Sequence, residues 1–318
     1  MRLRMRPGIA AGGDNRPWGV WFRAARLHFV PPSILPAILG SVIAWSRTHV
    51  FDPWHFGLVV AGVTVNHVGL NMLDDVFDYL HNVDRAPEDE KNPYTGGSGV
   101  LTEGRLTVEQ MVRAAAACFA VTALIGFYLA WACGWPVLVF GIIGMASSLF
   151  YTMPPVKFGY RGFGELGLLV NFGPIIVLGS YYVQTGTLSL EPLIASLILG
   201  LMMWSMIIIN EIPDYEEDRR GGKWNLVARF GRETGVKLYT GGLAAAYAVL
   251  LASILMKVTP LLTLLGFASL PLTLKSLRIL SANYRDRIKL IPANLAMIQV
   301  HALTGSSLIL GYLLHGMG

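Results

Sequence analysis

Asn71-Met-Leu-Asp74-Asp75-Val-Phe-Asp78 ends one long apolar segment of the chain, and Asn210-Glu-Ile-Pro-Asp214-Tyr-Glu-Glu-Asp218 ends another. Only 14% of the 318 residues are charged, yet carboxylates cluster at these two places, each time beside an Asn. Ionisable side chains at the end of a membrane helix point to a functional site, because they are costly there. These two runs, called the first and second acidic motifs below, are therefore the candidate functional site.

Each motif places its polar residues on one face if it is helical. In the first motif, offsets of three, four and seven residues return to the same side of a helix, and the second follows the spacing i, i+4, i+8. Two such stripes facing each other form a nest of hard oxygen ligands, which suits Mg²⁺ that carries a diphosphate. A solvated helix end is the alternative for each motif. We therefore predict substrate binding by Asn71 and Asn210, and metal ligation by Asp74, Asp75, Asp78, Asp214 and Asp218.

The composition predicts an all-α membrane protein, because the chain is 53% hydrophobic and has a positive mean hydropathy. Nine apolar stretches have about the length that spans a bilayer. We expect one domain over residues 27–318, preceded by a basic cytoplasmic segment over residues 1–26. Two long loops, over about 79–109 and 210–236, are each expected to open at an acidic motif. The nine stretches cover residues 29–46, 56–73, 110–132, 136–153, 163–184, 191–209, 237–256, 259–277 and 291–314.

The basic residues predict the orientation of these nine spans. With the N-terminus inside, 23 of the 25 Lys and Arg residues fall on the inner side, and only Arg47 and Lys257 do not. This positive-inside pattern predicts a multi-pass protein of the cell membrane whose active site faces the cytoplasm. The net charge of +5 then reflects topology and attraction to the lipid bilayer. Because the basic residues are dispersed over loops, they do not indicate nucleic acid, and no obligatory protein partner is evident.

Cationic and aromatic side chains near the motifs are candidates for the chemistry. Lys157 and Arg161 lie in a short inner loop, and Lys223 follows the second motif. Such cations neutralise a leaving diphosphate, although positive-inside anchoring is their alternative role. Tyr151 has a ring that can shield a cation, so we predict these four residues as catalytic. Three more are predicted to bind substrate: Arg219 at the diphosphate, and Glu165 and Asn171 at a polar acceptor. Membrane anchoring is the alternative role of Tyr151, and helix–helix hydrogen bonding is that of Asn171.

These motifs resemble those of the UbiA superfamily of intramembrane prenyltransferases, most closely its 1,4-dihydroxy-2-naphthoate polyprenyltransferase (MenA) branch. That branch shows Asn-x-x-Asn-Asp-Tyr-x-Asp followed by Gly-x-Asp. The matching residues are Asn71, Asp75, Asp78 and Asp84, whereas Asp74 and Val76 depart from the pattern. The second family motif, Asn-x-x-x-Asp-x-x-x-Asp, is present in full. Two further family patterns are matched at Tyr151, Pro155 and Lys157, and at Gly222, Lys223 and Leu226, where Asn225 replaces a Thr.

The resemblance implies a nine-helix bundle and a Mg²⁺-dependent reaction. A polyprenyl group would pass from polyprenyl diphosphate to an aromatic acceptor, expected to be 1,4-dihydroxy-2-naphthoate in menaquinone biosynthesis. Another UbiA-type acceptor, such as 4-hydroxybenzoate, a porphyrin or a glycerol ether, stays open. A cation-coupled transporter is the more distant alternative, but transporter sites usually lie near the bilayer midplane, whereas these motifs lie at one face.

Overall fold

The computed structural model describes residues 17–83, 92 and 94–318, and the regular structure of these residues is helical throughout. The prediction of an all-α protein is therefore confirmed for this part of the chain. Asp84, which the sequence assigns to the first motif, lies outside the described residues. The α-helices are α1 (Pro17–Ala25), α2 (Pro31–Thr48), α3 (Pro53–Leu80), α4 (Val108–Cys133), α5 (Pro136–Thr152), α6 (Gly164–Val170), α7 (Ile176–Thr185), α8 (Leu190–Arg220), α9 (Leu226–Phe230), α10 (Arg232–Leu255), α11 (Leu270–Asn283) and α12 (Ile291–Met317).

Seven helical stretches of the described residues are long and apolar enough to cross a membrane. Five are single helices, namely α3, α4, α8, α10 and α12, and two are composite. One composite stretch joins α6 and α7 through a π-helical turn, Asn171–Ile175, where Pro174 has no N–H to donate. The other joins a 3₁₀ segment, Leu261–Ser269, to α11. The chain is therefore a multi-pass membrane protein.

Two shorter helices coincide with the remaining predicted stretches. α5 has 17 residues and α2 has 18. At 1.5 Å of rise per residue each is roughly 25–27 Å long, which is close to the thickness of a bilayer's hydrocarbon core. α2 packs against α7 and α12.

Both acidic motifs are helical, because α3 and α8 continue beyond the apolar stretches predicted at 56–73 and 191–209. The expectation that a loop begins at residue 210 is wrong, since α8 runs without a break through Pro213 to Arg220. A proline leaves the carbonyl four residues earlier without its helical donor. Here the side chain of Asn294 on α12 replaces that donor, with its Nδ2 3.1 Å from the Ile209 carbonyl. The end of the bundle where α3 and α8 finish is called the motif end below.

Close packing positions α8 in the centre of the protein. α8 contacts α10, α12, α6 and the π-helical turn, and much of its length is buried. Gly200 of α8 meets Gly173 of the π-helical turn, where an added Cβ at Gly173 would lie only 2.7 Å from the Ser196 carbonyl. No larger residue fits at this crossing without a shift of the backbone.

One of the two basic residues that depart from the positive-inside pattern is neutralised within the protein. Arg47, in the last turn of α2, donates two hydrogen bonds to Glu191 at the start of α8, at 2.5 and 2.7 Å. The Glu191 side chain is buried. This bidentate pair joins the ends of α2 and α8 that lie away from the motif end.

Candidate active site

A cleft at the motif end brings the two acidic motifs together. Its empty volume is about 530 Å³. α3 contributes Asp74 and Asp78, and α8 contributes Asp214 and Asp218. The other lining residues are Arg26, Tyr94, Thr95, Gly96, Tyr151, Ile207, Asn210, Glu211, Lys223 and Asn225.

Asp78 is held from both sides by residues that follow the transmembrane helices. Tyr160 donates its hydroxyl to Asp78 Oδ1 at 2.5 Å, and Lys223 Nζ donates to Oδ2 at 3.0 Å. A backbone hydrogen bond of 3.0 Å from the Trp224 N–H to the Tyr160 carbonyl joins the segment that carries Lys223 to the segment that carries Tyr160. Asp78 is therefore oriented before any ligand arrives.

The charge states of these two donors follow from their surroundings. Burial, and then the Asp78 carboxylate, raise the pKa of the Tyr160 hydroxyl, so it remains a donor. Burial alone would lower the pKa of Lys223, but the carboxylates of Asp78, Asp74 and Asp218 outweigh it and hold that pKa well above its usual value. Lys223 is therefore a fixed cation in the cleft.

The second motif is held by a loop and by a neighbouring arginine. Asp214 Oδ1 accepts from the Thr95 hydroxyl at 3.0 Å and from Arg287 Nη2 at 2.9 Å. Asp218 Oδ2 accepts from Asn225 Nδ2 at 2.6 Å. Asn225 also caps α9 through a hydrogen bond from the Ala228 N–H. Each carboxylate thus retains an oxygen for a further ligand.

Asp74 and Asp75 have different surroundings although they are neighbours on α3. Asp74 lines the cleft, and its Oδ1 is buried with no hydrogen-bond partner. Asp75 lines a second cleft instead, where its carboxylate accepts from the Ser98 N–H at 3.0 and 3.2 Å. Arg26 Nη1 lies 3.4 Å from Asp75 Oδ1 and 4.0 Å from Asp74 Oδ2. Asp74 therefore keeps a carboxylate oxygen without a hydrogen-bond partner, whereas Asp75 holds the loop over residues 94–99.

The donor set of the cleft fits a hard divalent cation. No three acidic, His or Cys side chains of the described residues converge into a complete metal site by themselves. Mg²⁺ is typically held by one or two carboxylates, with substrate phosphates and water supplying the remaining ligands. Asp74 lines the cleft together with Asp214 and Asp218 and keeps one oxygen without a hydrogen-bond partner, so the three provide such a partial site.

The two motif asparagines are both fixed by hydrogen bonds. Asn71 is buried, and its Nδ2 donates to the Ala25 carbonyl at 3.2 Å. Asn210 lines the cleft, and its Oδ1 accepts from Asn294 at 2.9 Å.

The other predicted cations lie at different distances from the cleft. Lys157 lies behind Tyr160, with its Nζ 5.5 Å from the ring centre and 2.6 Å from His81 Nε2. Arg161 is exposed and donates to the Pro155 carbonyl at 2.9 Å. Arg219 is exposed and donates to the Tyr215 hydroxyl at 2.8 Å. The structure thus brings Lys223 into the cleft, places Lys157 beside it and leaves both arginines outside its lining.

Neither predicted acceptor residue, Glu165 or Asn171, is among the residues that line the cleft with Tyr151. Glu165 is completely buried, and its Oε1 accepts from the Leu226 N–H at 2.6 Å. Its carboxyl lies near that of Glu211, which does line the cleft. Asn171 is buried in the π-helical turn and lines a separate apolar groove.

This apolar groove lies between α3, α4, α5 and α7 and has an empty volume of about 1240 Å³. Its walls are mostly aliphatic, but His67 and Ser148 lie among the lining residues. On α3, Asp74 is two turns beyond His67, and on α5, Tyr151 is one turn beyond Ser148. The polar part of the groove therefore lies on the side of the acidic cleft.

Several site residues could not be identified from the sequence as members of the site. Arg26 was one of six basic residues near the N-terminus, and nothing in its neighbours marks it. The same is true of Arg287, which reaches Asp214 from a distant loop. Thr95 did carry a signal, because it precedes the turn-rich run Gly96-Gly97-Ser98-Gly99, whose N–H groups could face phosphate oxygens. The hydroxyl of Tyr160 reaches Asp78 from 82 residues away, and no local pattern marks it. Asn294 did carry a signal, because an Asn in an apolar stretch needs a hydrogen-bond partner.

The model of the UbiA prenyltransferase family matches residues 33–298 of this chain. The chain therefore belongs to the UbiA prenyltransferase family, as its motifs predicted. A 1,4-dihydroxy-2-naphthoate octaprenyltransferase from Mycobacterium tuberculosis is 31% identical over 258 residues, covering 80% of this chain and 84% of the relative. The enzyme of that name from Bacillus subtilis is 25% identical over 228 residues, covering 72% and 71%. A 2-carboxy-1,4-naphthoquinone phytyltransferase from Synechocystis is 25% identical over 306 residues and covers 94% of each chain.

Solved structures share the fold. A UbiA homolog from Aeropyrum pernix superimposes with a TM-score of 0.66 at 18% identity, covering 90% of this chain and 98% of that one. A UbiA homolog from Archaeoglobus fulgidus bound to GPP and Mg²⁺ gives a TM-score of 0.63 at 14% identity, with coverage of 91% and 99%. At these identities the likeness establishes the architecture alone.

Proposed function

We propose that this protein transfers a polyprenyl group from polyprenyl diphosphate to 1,4-dihydroxy-2-naphthoate in menaquinone biosynthesis. The observation that supports it most is the meeting of both acidic motifs and Lys223 in one cleft beside an apolar groove. Family membership supports the prenyl transfer, and the names of the relatives support the naphthoate acceptor.

Mg²⁺ binding is assigned to the carboxylates that line the cleft: Asp74, Asp78, Asp214 and Asp218. When bound, the ion neutralises charge on the diphosphate and so makes it a better leaving group. Asp75 was also predicted as a metal ligand, but it is left out of this assignment, because its carboxylate lines the second cleft and accepts from the Ser98 N–H. The UbiA homolog crystallised with GPP and Mg²⁺ supports this choice of ion.

The cations of the cleft bind and stabilise the leaving diphosphate. Lys223 lies among three carboxylates and remains charged, so it faces the diphosphate as a fixed ammonium. Arg26 lines the same cleft, and Lys157 is placed next to it behind Tyr160. Preorganised charges of this kind act where negative charge develops in the transition state.

In the proposed reaction the C–O bond of the prenyl diphosphate breaks, and the diphosphate leaves with the electron pair. The allylic carbon then forms a C–C bond with the ring carbon that carries the carboxylate. Carbon dioxide leaves, and the electrons of its bond return to the ring. The Tyr151 ring lines the cleft where the allylic cation would form and can stabilise it by its face.

The groove accommodates the hydrocarbon chain of the donor. It is lined mostly by aliphatic residues of four helices. An apolar wall beside the cleft would limit access of water to the allylic cation. The acceptor is assigned to the neighbourhood of Tyr151, with Asn171 at the groove and Glu165 acting through Glu211.

The proposed topology has nine spans, with the N-terminus and the motif end on the cytoplasmic side. Seven stretches meet the length and hydropathy of a span, and α2 and α5 supply the other two. The positive-inside distribution supports the orientation.

Product analysis tests the proposed function. Purified protein receives Mg²⁺, one polyprenyl diphosphate and a panel of acceptors that includes 1,4-dihydroxy-2-naphthoate, 4-hydroxybenzoate and a glycerol ether. We expect mass spectrometry to find a prenylated naphthoquinol that has lost carbon dioxide. A product from another acceptor alone would reassign the acceptor, and no product from any acceptor would reject the transferase.

A further inference from the structure

Asn294 on α12 is almost completely buried beside the second acidic motif, with 1% of its surface exposed. Its Nδ2 donates both to the Ile209 carbonyl at 3.1 Å and to Asn210 Oδ1 at 2.9 Å. Its Oδ1 accepts from Nδ2 of Asn92 at 3.0 Å. The side-chain amide of Asn294 therefore connects α12 to α8 and to Asn92.

The orientation of this amide is fixed by backbone groups that can only accept or only donate. Pro213 has no N–H, which leaves the Ile209 carbonyl open to another donor, and a carbonyl can only accept. The Asn294 atom that faces it must therefore be nitrogen. At the other end, Asn92 Oδ1 accepts from the Tyr94 N–H at 3.0 Å, so Asn92 presents its nitrogen to Asn294. Both ends require the same orientation.

The orientation of Asn294 determines that of Asn210. Because Nδ2 of Asn294 donates, the Asn210 atom that it meets must be the oxygen, Oδ1. The amide nitrogen of Asn210 is then the group left for the cleft that this residue lines. An N–H donor suits an anionic phosphate oxygen, whereas a metal ion requires an oxygen lone pair.

We propose that Asn294 is a positioning residue that makes Asn210 a hydrogen-bond donor to the diphosphate rather than a ligand of the metal. This inference rests on the proposed function. The asparagine of the first motif is oriented the other way, since Asn71 uses its nitrogen on the Ala25 carbonyl and retains its oxygen. The two motifs therefore differ in chemistry although their sequences look alike.

The same amide connects the diphosphate site to the loop above it. Asn92 is held by Asn294, and three residues later Thr95 donates to Asp214. Loss of the Asn294 amide therefore disturbs the orientation of Asn210 and the start of the loop together.

Two variants test the proposal, Asn294→Leu and Asn210→Asp, with Asn283→Leu as a matched control. Asn283 is a partly buried Asn whose Nδ2 also donates to a backbone carbonyl, that of Ile279, but on α11. The Kd of a non-reactive prenyl thiodiphosphate is measured with each protein in detergent, together with the Mg²⁺ concentration that gives half-maximal turnover. A hydrogen bond to a charged group corresponds to about a ten- to hundredfold change in affinity.

We expect Asn294→Leu and Asn210→Asp each to raise the Kd of the analogue at least about tenfold, with the half-saturating Mg²⁺ concentration unchanged in both. A structural role alone would reduce the folded fraction and maximal turnover without changing the Kd. If Asn294→Leu does not fold, Asn210→Asp decides alone. Normal analogue binding by Asn210→Asp, or a lower Mg²⁺ requirement, would show that Asn210 acts through oxygen on the metal and would overturn the proposal. A wild-type protein that binds no analogue and forms no prenylated product would instead reject the proposed function.

Discussion

The hydroxyl of Tyr160 allows a direct test of how Asp78 is prepared for a metal ion. It donates to Asp78 Oδ1 at 2.5 Å, and Lys223 occupies the other carboxylate oxygen at 3.0 Å. Tyr160→Phe removes one oxygen atom and keeps the ring, whose centre lies 5.5 Å from Nζ of both Lys157 and Lys223. We therefore expect the packing to persist while Asp78 loses one of its two fixed partners.

The expected magnitude follows from the type of hydrogen bond that is lost. A hydrogen bond to a charged group contributes about 1.5–3 kcal/mol, and tenfold in affinity corresponds to about 1.4 kcal/mol. Loss of an outer partner of a metal ligand typically costs about 10- to 100-fold in metal affinity. Tyr160→Phe should therefore raise the half-saturating Mg²⁺ concentration about 10- to 100-fold, with much of the maximal turnover recovered at high Mg²⁺.

A Mg²⁺ titration of prenyl transfer measures this effect. Tyr151→Phe is the matched control, because Tyr151 lines the same cleft and, among the described residues, no hydrogen bond joins its hydroxyl to Asp74, Asp75, Asp78, Asp214 or Asp218. The Mg²⁺ requirement of that variant should remain that of the wild type, whatever its maximal turnover. Since the pKa of Tyr160 is raised, the difference should persist from about pH 6 to about pH 9. An unchanged Mg²⁺ requirement in Tyr160→Phe would refute the assignment of Asp78 as a metal ligand oriented by Tyr160.

Four further predictions concern the cations, the topology and the groove. Lys157→Ala should lower turnover on the order of 10²-fold and change the KM for prenyl diphosphate less; normal turnover in steady-state kinetics would leave Lys157 as a positive-inside anchor. Lys223→Gln should reduce turnover by the same factor at about pH 7 and about pH 9, because a raised pKa keeps the lysine charged throughout; a smaller factor at the higher pH would show that it titrates. In a cysteine-free background, Gly97→Cys should react with an impermeant thiol reagent only from the cytoplasmic face, and Thr187→Cys only from the outside. The reverse labelling would exclude nine spans with the N-terminus inside. Gly141→Trp should lower turnover of long prenyl diphosphates more than that of geranyl diphosphate, since a Cβ there meets open space in the groove; equal loss with both donors would place the chain elsewhere.

The sequence predicts the helices and the meeting of the two motifs well, because both depend on local patterns. A hydrophobic run of span length and a polar stripe with helical spacing are visible without any tertiary contact. The ends of α3 and α8 were missed for a physical reason. Their last turns are polar and lie beyond the apolar stretch, and Pro213 suggested a break that Asn294 in fact repairs.

The contacts within the site depend on packing that the sequence does not show. Asp74 and Asp75 differ by about 100° around α3, and only the position of the loop over residues 94–99 decides which of them faces the cleft. Tyr160 is 82 residues from Asp78, and Arg26 is 49 residues from Asp75. Hydrogen bonds over such separations have no periodic signature, so they become visible only once the helices are placed.

The central claim is that carboxylates from both motifs hold one metal-bound prenyl diphosphate, and metal removal and return tests it most directly. Purified protein is assayed for prenylated naphthoquinol by mass spectrometry after treatment with a chelator and again after addition of Mg²⁺, alongside Asp78→Asn and Asp214→Asn. We predict that product disappears with the chelator, returns with Mg²⁺, and remains strongly reduced in both folded variants, one from each motif. Full product formation in the presence of chelator, or wild-type turnover in either variant, would contradict the claim.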